Sequence, residues 1–391
     1  MRFFPPLFLA ALLTASAGAQ TIWFVDASAP VPGDGSPGLP FQQIQEGLDA
    51  AAPSGDSVRV LGGTYLENLV LDGKSIQLNA VSGLGSVTVD GGGIAPVFTV
   101  QNHPVGTETF VSGLRFENGA GAPITADIRR GGGLYVTGPA RTAFEACEFA
   151  GSVAEEGGGA YLTGGAHVFV DCSFEGNRGD LGGGLHAAGA NLVLQASSVS
   201  DNLGLTGFGG GFVIRRGGGI ALTEGGATPW KVLIEDSQIS RNNVSPSGDG
   251  AGLFIDSGGE VMIRHTLISE NDRQDVFGIG GRGGGIAAGA NTTLEDCEIR
   301  DNGSRLSYGG GTSGSLTARN CIIAGNQAAQ GGGASGGTFV DCLFEGNAAG
   351  DLCCAEGALG GGAYQASLTG CVLRANRARL GPVLLLSLIH I

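Results

Sequence analysis

Apolar residues recur along the chain in short units that each end in asparagine. A unit reads small residue or Cys, any residue, apolar residue, two further positions and Asn, as in 172–177, 237–242 and 342–347. The first residue and the apolar residue are two positions apart, so both side chains point to the same side of a β-strand. The pattern therefore predicts a series of strands, each with one face in a common interior.

The asparagine that closes each unit recurs with a period of roughly 29 residues, and a fixed period of this size indicates a solenoid. The anchor positions are Asn118, Asn177, Asn202, Asn242, Asn271, Asn302, Asn326, Asn347 and Asn376, with Ser152 in place of one Asn. Stacked coils would align these residues at the ~4.8 Å spacing of neighbouring strands, so that each amide bonds the next. We therefore expect a structural ladder of asparagines.

Clusters of glycine separate the anchors, at 131–133, 157–159, 182–184, 217–219, 283–285, 309–311, 331–333 and 360–362. Glycine provides positive φ and allows a close approach of the backbone, and asparagine tolerates left-handed geometry. Each coil is therefore expected to turn at its glycine cluster and at its asparagine. These features predict an all-β fold, a single-stranded parallel β-helix, in which no coil buries its apolar face alone.

A short amphipathic segment precedes the repeats. Its apolar residues on one helical face are Phe41, Ile44, Leu48 and Ala52. A turn at Gly55 and Asp56 and a strand at 58–60 follow it. We expect this short helix to cap the first coil.

The two ends of the chain differ from the repeats. Arg2, an apolar run over 3–13 and small residues before Gln20 predict a signal peptide over 1–19, and hence an exported protein. We predict a cap with the first coils over 20–100, repeats over 101–380 and an irregular tail over 381–391. The end of that tail looks like translated sequencing adapter, so the natural C-terminus is expected to be missing. No later segment reaches the ~18 apolar residues of a membrane-spanning helix.

Composition excludes several classes of protein. Glycine accounts for 75 of 391 residues and charged residues for 15%, which suits neither a helical bundle nor a disordered acidic tail. The net charge of -15 argues against a nucleic-acid partner, because neutralising phosphates requires a basic surface. Divalent cations, or solubility alone, account better for such a charge.

Most of the cysteines follow the repeat. Cys147 and Cys172 are predicted to stack on adjacent coils, as are Cys297, Cys321, Cys342 and Cys371. Parallel Cβ vectors one strand apart are slightly too distant for a disulfide, so buried free thiols are favoured over bridges. The adjacent Cys353 and Cys354 lie in an insertion. They could bond to each other as a vicinal disulfide, or they could serve to cross-link the loop. The chain has no Cys-x-x-Cys pair, which argues against structural zinc.

Insertions accumulate between the asparagine anchors and the glycine clusters, at 119–130, 203–216, 272–282 and 348–359. Such a corner of a solenoid often binds a partner. Three insertions end in arginine, at Arg130, Arg216 and Arg282, and a guanidinium suits carboxylate or sulfate. These arginines are candidates for a discontinuous basic stripe that contacts an acidic glycan; the alternative is that they are ordinary solvated side chains.

A second candidate site lies six residues before each anchor. This outward position is occupied by Asp171, Ala196, Asp236, His265, Asp296, Asn320 and Asp341. Asp236, His265 and Asp296 fall on consecutive coils, about 5 Å apart. They are candidates to hold a cation such as Ca²⁺, with Asp236 and Asp296 as its ligands, or to act as general acid and base across a sugar. The alternative is that these residues are polar only because aspartate is common where strands begin, and that they keep this face of the solenoid solvated without binding anything.

The repeat motifs resemble those of a known family. Phe174 with Asn177 and Phe344 with Asn347, alternating with Gly-Gly-Ala at 158–160 and 361–363, resemble the polymorphic outer membrane protein repeats of chlamydiae. The segments at 23–26, 33–35 and 62–65 look like the start of the wider pectin-lyase-like group. The resemblance implies a right-handed β-helix in a bacterial protein that is secreted or lies at the cell surface or outer membrane.

The resemblance does not extend to the catalytic motifs of β-helix enzymes. Polygalacturonases have a Gly-His-Gly segment, whereas His167, His186 and His265 are followed here by Val, Ala and Thr. The leading hypothesis is a monomeric structural, adhesion or glycan-binding protein without a required cofactor. The alternative is a polysaccharide lyase or glycoside hydrolase acting on acidic polysaccharide, with Asp236, His265 and Asp296 as catalytic residues.

Overall fold

The computed structural model describes residues 20–30, 32–125, 128–204, 215–225, 230–244, 248–256, 258–273, 281–350, 359–380 and 383–385. The predicted signal peptide, the Cys353–Cys354 pair and most of the tail lie outside these residues. The described chain winds into stacked coils, and a strand of one coil pairs in parallel with the equivalent strand of the next. The predicted parallel β-helix is confirmed.

The strands form four columns that run along the helix axis. The first column, after the glycine clusters, contains Leu69–Asp72, Phe98–Gln101, Leu134–Val136, Ala160–Thr163, Leu185–Ala188, Ile220–Thr223, Leu253–Ile255, Ala334–Ser335 and Ala363–Tyr364. The second contains Ile22–Val25, Ser54–Val60, Ser75–Ala80, Thr109–Ser112, Arg141–Glu145, Ala166–Val170, Asn191–Gln195, Lys231–Glu235, Glu260–Arg264, Thr338–Val340 and Ser367–Thr369. Ile286–Glu295 and Thr312–Arg319 each span both columns.

The third column precedes the asparagine anchors. It contains Gly63–Leu66, Val87–Asp90, Leu114–Glu117, Glu148–Ala150, Ser173–Glu175, Ser198–Ser200, Gln238–Ser240, Leu267–Ser269, Glu298–Arg300, Ile322–Ala324, Leu343–Glu345 and Val372–Arg374. The fourth contains Leu203–Gly204, Asn243–Val244, Asp272–Arg273, Gly303–Tyr308, Gln327–Gln330, Ala348–Ala349, Arg377–Leu380 and the antiparallel Val383–Leu385. A hairpin of Ala122–Pro123 and Arg129–Arg130 extends from the corner before the glycine clusters.

The interior is built from the apolar residues that alternate along these strands. Phe149 and Phe174 occupy equivalent positions on adjacent coils, and their rings stack with centroids 4.9 Å apart. Phe144 and Phe169 in the second column stack at the same distance. Burying such side chains contributes ~1.5–3 kcal/mol each, so stability accumulates coil by coil.

The glycine clusters turn the chain as predicted. The first glycine of each cluster has positive φ, for example 67° at Gly157. A methyl group on Gly158 would lie 2.3 Å from the Arg178 carbonyl oxygen, so the coils approach too closely there for any side chain. The sequence pattern missed one such turn, at Gly250, Ala251 and Gly252, because alanine replaces the middle glycine.

The asparagine ladder is confirmed from Asn177 to Asn376, with two corrections. The buried anchors do not adopt left-handed geometry; the residue before each anchor does, as at Gly176 and Asp201. The anchor needs ordinary geometry because its side chain turns inward to bond the neighbouring coil. Asn118 was wrongly placed in the ladder: it is itself left-handed, exposed and bonded to Asp90, and Gly119 occupies the anchor position.

The predicted cap is a helix at Ile44–Ala50. Ile44 and Leu48 are buried against the first strands, as expected, but Ala52 is exposed and Ala51 is buried in its place. The expectation for Ala52 was wrong because the helix ends at Ala50, before the predicted face reaches that residue. Phe41 precedes the helix and stacks on Trp23.

The cysteines within the described residues are free thiols, as predicted. All are buried except the half-buried Cys371, and all point into the interior.

None of the helices formed by the described residues has the length and apolarity needed to cross a membrane.

Candidate functional site

The outward column lies at the turn between the second and third strand columns. Asp236, His265 and Asp296 have φ of 51°, 47° and 52°, as the chain turns left-handed at this position in each coil. Asp, Asn and His are the side chains that tolerate this geometry best after glycine. The backbone requirement therefore favours Asp, Asn and His in the column, although Ala196 adopts the same geometry, with φ of 49°.

The structure brings these three residues together. His265 Nδ1 lies 3.5 Å from Asp236 Oδ1, and His265 Nε2 lies 3.8 Å from Asp296 Oδ2. Each of the three side chains is about half exposed, at 52% or 53%. We call this set the Asp–His–Asp row. An imidazole with a carboxylate beside each ring nitrogen can exchange protons or bind hydroxyl groups from the solvent side.

A possible cation site overlaps this row. One ligand atom from each of Glu235, Asp236 and His265 lies within 4.8 Å of the others. Glu235 also forms an ion pair with Arg264 at 2.5 Å, which competes for its carboxylate. An imidazole with carboxylates suits a transition metal better than Ca²⁺, which prefers oxygen ligands alone. The geometry does not bring Asp296 into this cluster; it approaches the opposite nitrogen of His265.

A groove of about 560 Å³ runs along the same turn. Its lining includes Glu148, Asp171, Ser173, Ser198, Asp236, Gln238, His265, Leu84 and Leu267. It thus combines carboxylates, hydroxyls, a carboxamide and an imidazole with two apolar side chains, and it contains no lysine or arginine among the described residues. The sequence pattern missed Ser198 and Gln238, although their outward position directly before a buried apolar residue, Val199 or Ile239, could have identified them.

The arginine candidates do not form a basic stripe. Arg130 Nε binds Glu156 Oε2 at 2.7 Å, and its guanidinium lies 4.9 Å from the Tyr161 ring centre. Arg216 lies 4.7 Å above the Phe254 ring. Both guanidinium groups therefore pack against the protein's own side chains.

The positions of these arginines along the corner confirm their separation. Glu156 and Leu181 lie on the coils between Arg130 and Arg216, and Asp249 follows Arg216. Arg282 is on the next coil, where its backbone N–H donates to Asp249 Oδ1 at 2.8 Å. Acidic residues and Leu181 therefore separate the three arginines on this corner, and the described residues do not bring their guanidinium groups together.

Comparison with known proteins identifies the repeat region. The sequence model of the family described as right handed beta helix region matches residues 105–271 and 213–373. No curated protein matches the chain in sequence.

Solved structures similar to this chain include pectate lyase Pel9A, at 14% identity and TM-score 0.44 over 78% of this chain and 77% of that one. The A-module of mannuronan C-5 epimerase AlgE4 from Azotobacter vinelandii has 15% identity and TM-score 0.39, over 90% and 96%. PfbA, a surface adhesin of Streptococcus pneumoniae, has 10% identity and TM-score 0.31, over 86% and 88%. These are similarities of fold.

Proposed function

We propose that this chain, which belongs to the family of right-handed β-helix regions, is an exported glycan-binding protein that holds a polysaccharide along the groove beside its Asp–His–Asp row. The observation that carries the proposal is the geometry of that row. Three consecutive coils present carboxylate, imidazole and carboxylate to solvent, next to serine and glutamine side chains. A repeating set of partners at ~4.8 Å intervals suits a ligand that is itself a repeating polymer.

The chemistry of the groove matches sugar hydroxyl groups. Carboxylates accept two hydrogen bonds from neighbouring hydroxyls, and serine and glutamine side chains both donate and accept. Leu84 and Leu267 offer apolar contacts to the C–H face of a sugar ring. A small number of precisely placed polar groups beside apolar side chains is typical of sites that bind small ligands.

The charge of the groove selects among glycans. Asp171 and Asp236 line it, together with a Glu148 that pairs with Arg115, and the chain carries a net charge of -15. A uronate-rich polymer would meet like charges on this face, which lowers affinity. Two of the three arginines expected to bind such a polymer, Arg130 and Arg216, are already engaged by Glu156 or by aromatic rings. We therefore propose a neutral polysaccharide.

A second candidate function is glycoside hydrolysis, since Asp236 and Asp296 flank an imidazole. Glycosidases keep one carboxyl group protonated by holding it in an apolar pocket. Asp236 and Asp296 are each about half exposed to water, so the geometry favours binding over catalysis.

The test is calorimetric titration of the purified protein with neutral and uronate-rich oligosaccharides, with and without Ca²⁺. The variant Asp236→Asn/His265→Asn/Asp296→Asn keeps residues that tolerate positive φ, and Asp341→Asn makes the same change elsewhere in the column. We expect the triple variant to lose at least ~10-fold in affinity for a neutral glycan, equivalent to ~1.4 kcal/mol, and the control to bind like the parent.

Equal binding by the triple variant and the parent would overturn the proposed site. Binding of uronate-rich oligosaccharides alone would overturn the proposed ligand class. New reducing ends, produced by the parent but not by the triple variant, would establish the hydrolase instead.

A further inference from the structure

One inward position of the β-helix holds a polar atom on nine consecutive coils. It directly follows the outward column and is occupied by Cys147, Cys172, Ser197, Ser237, Thr266, Cys297, Cys321, Cys342 and Cys371. The sulfur atoms thus form a run of two and a run of four, separated by three hydroxyl groups. We call the second set the four-thiol run.

The surroundings of each sulfur are polar on one side although the position is buried. Cys297 Sγ lies 3.2 Å from the Glu295 carbonyl oxygen and 3.4 Å from that of Ile263. Cys342 Sγ lies 3.3 Å and 3.6 Å from two carbonyl oxygens and accepts a hydrogen bond from the Cys321 backbone N–H at 3.4 Å. Carbonyl oxygens favour a nearby cation, and an N–H donor stabilises a thiolate.

The fold itself does not require sulfur at this position. Ser197 Oγ donates to the Gln195 carbonyl oxygen at 2.7 Å and accepts from the Cys172 backbone N–H at 3.0 Å. Ser237 Oγ repeats the pattern with Glu235 and Ser197. A hydroxyl therefore makes the same contacts as a thiol, so the four successive thiols need another explanation.

We propose that the four-thiol run is a binding site for a thiophilic divalent d10 cation such as Hg²⁺, held between the sulfurs of adjacent coils. Two collinear metal–thiolate bonds of ~2.3 Å span ~4.6 Å, close to the ~4.8 Å spacing of stacked strands. Soft thiolate ligands select such metals. Binding joins one Hg²⁺ to two thiols and releases two protons, with no change of oxidation state.

The uncharged product suits the apolar interior. A divalent cation between two thiolates carries no net charge, so it avoids the cost of burying an ion. The half-buried Cys371 lies at the end of the run and provides a point of entry. Since protons must leave, affinity should rise with pH.

The experiment is a titration of the reduced protein with HgCl₂, followed by sulfur-to-mercury charge-transfer absorption and by native mass spectrometry. A Cys353→Ser/Cys354→Ser background removes the two thiols that lie outside the described residues. In this background, Cys321→Ser/Cys342→Ser leaves Cys297 and Cys371 without an adjacent thiol. We expect this change to reduce the stoichiometry by two ions per chain, while the Cys147–Cys172 pair still binds one.

Two further measurements complete the test. Ser197→Cys/Ser237→Cys should create an additional pair and raise the stoichiometry by one ion. Thermal unfolding followed by circular dichroism should show that each variant is folded, because both serine and cysteine already occur at this position. An unchanged stoichiometry in Cys321→Ser/Cys342→Ser, or metal uptake only after unfolding in urea, would overturn the proposal. Both outcomes are independent of glycan binding in the outer groove.

Discussion

Asn202 donates two hydrogen bonds to a single atom, Oδ1 of Asn242 on the next coil: its backbone N–H at 3.1 Å and its side-chain amide at 2.9 Å. The amide of Asn202 also donates to the Phe174 carbonyl oxygen at 2.9 Å. The arrangement repeats along the ladder, with Asn242 donating twice to Asn271. One buried side chain per coil thereby satisfies backbone and side-chain groups that water cannot reach.

Replacing Asn242 with alanine should destabilise the protein by about 3 kcal/mol or more. The change leaves the buried backbone N–H of Asn202 without its acceptor, and it removes the bonds that Asn242 Nδ2 donates to Val199 and Asn271. Each unsatisfied buried group costs ~1–3 kcal/mol. Urea unfolding measures the difference. Asn118→Gly is the control: it keeps positive φ at an exposed residue outside the ladder and should cost less than ~1 kcal/mol.

Two glycine-to-alanine variants should separate close packing from backbone strain. At Gly158 the new methyl group would lie 2.3 Å from one carbonyl oxygen and 2.5 Å from another, so we expect a loss of more than ~3 kcal/mol or failure to fold. At Gly176, where φ is 64° and no atom lies within 4 Å, only the left-handed geometry is penalised, by ~1–2 kcal/mol. Thermal melts of both variants check this order, and equal losses would contradict it.

Acid should weaken the fold through its buried histidines. His167 bonds Thr142 and the Gly164 carbonyl oxygen, and burial lowers its pKa from the usual 6.5 to about 4. Because the unfolded chain gains a proton below pH 6.5 and the folded chain does not until about pH 4, this contribution is complete above pH 6.5 and lost as pH falls towards 4. The loss at pH 5 is ~2 kcal/mol.

The measurement is the urea midpoint at pH 7 and pH 5 for the parent and for His167→Gln. Glutamine keeps one donor and one acceptor and cannot titrate, so the variant should lose less stability between the two pH values. His186, whose pKa burial lowers to about 3, remains in both proteins and should account for part of the residual slope. Identical slopes would show that His167 does not stay neutral in the fold.

Removing the Arg130 side chain should affect stability but not ligand binding. Arg130→Met breaks the ion pair with Glu156 and the contact with the Tyr161 ring, and a loss of ~1–2 kcal/mol is expected for this partly buried set. The neighbouring Arg129 is exposed, and Arg129→Met should be nearly neutral. If Arg130→Met instead reduced affinity for an acidic glycan without loss of stability, the arginine would belong to a binding surface.

The sequence predicted the repeated parts of the fold well because they depend on local rules. A residue type at a fixed spacing predicts the positive φ at Gly157, the burial of Phe174 and the inward side chain of Asn177. The predictions were wrong where the spacing between motif residues changed. Asn118 follows Phe116 by two positions, whereas Asn177 follows Phe174 by three, and this single residue moves Asn118 from the ladder into solvent.

The candidate site was only partly predictable. The closeness of Asp236, His265 and Asp296 follows from the coil register, which a sequence period can define. The pairing of Arg130 with Glu156 depends on the length and path of an insertion, and the groove depends on how Leu84 overhangs later coils. Neither property is encoded by the repeat. Such contacts between distant segments required the structure.

The left-handed turn that forms the outward column also limits how this surface can evolve. A substitution there among aspartate, asparagine, histidine and glycine leaves the backbone nearly unstrained, as the residues at 236, 265, 320 and 370 illustrate. Aspartate provides an anion, asparagine a neutral amide and histidine a titratable ring, whereas glycine provides no side chain. Mutation can therefore exchange one chemical character for another along the row without endangering the solenoid. Related chains that differ in this row should share an architecture and diverge in what they recognise.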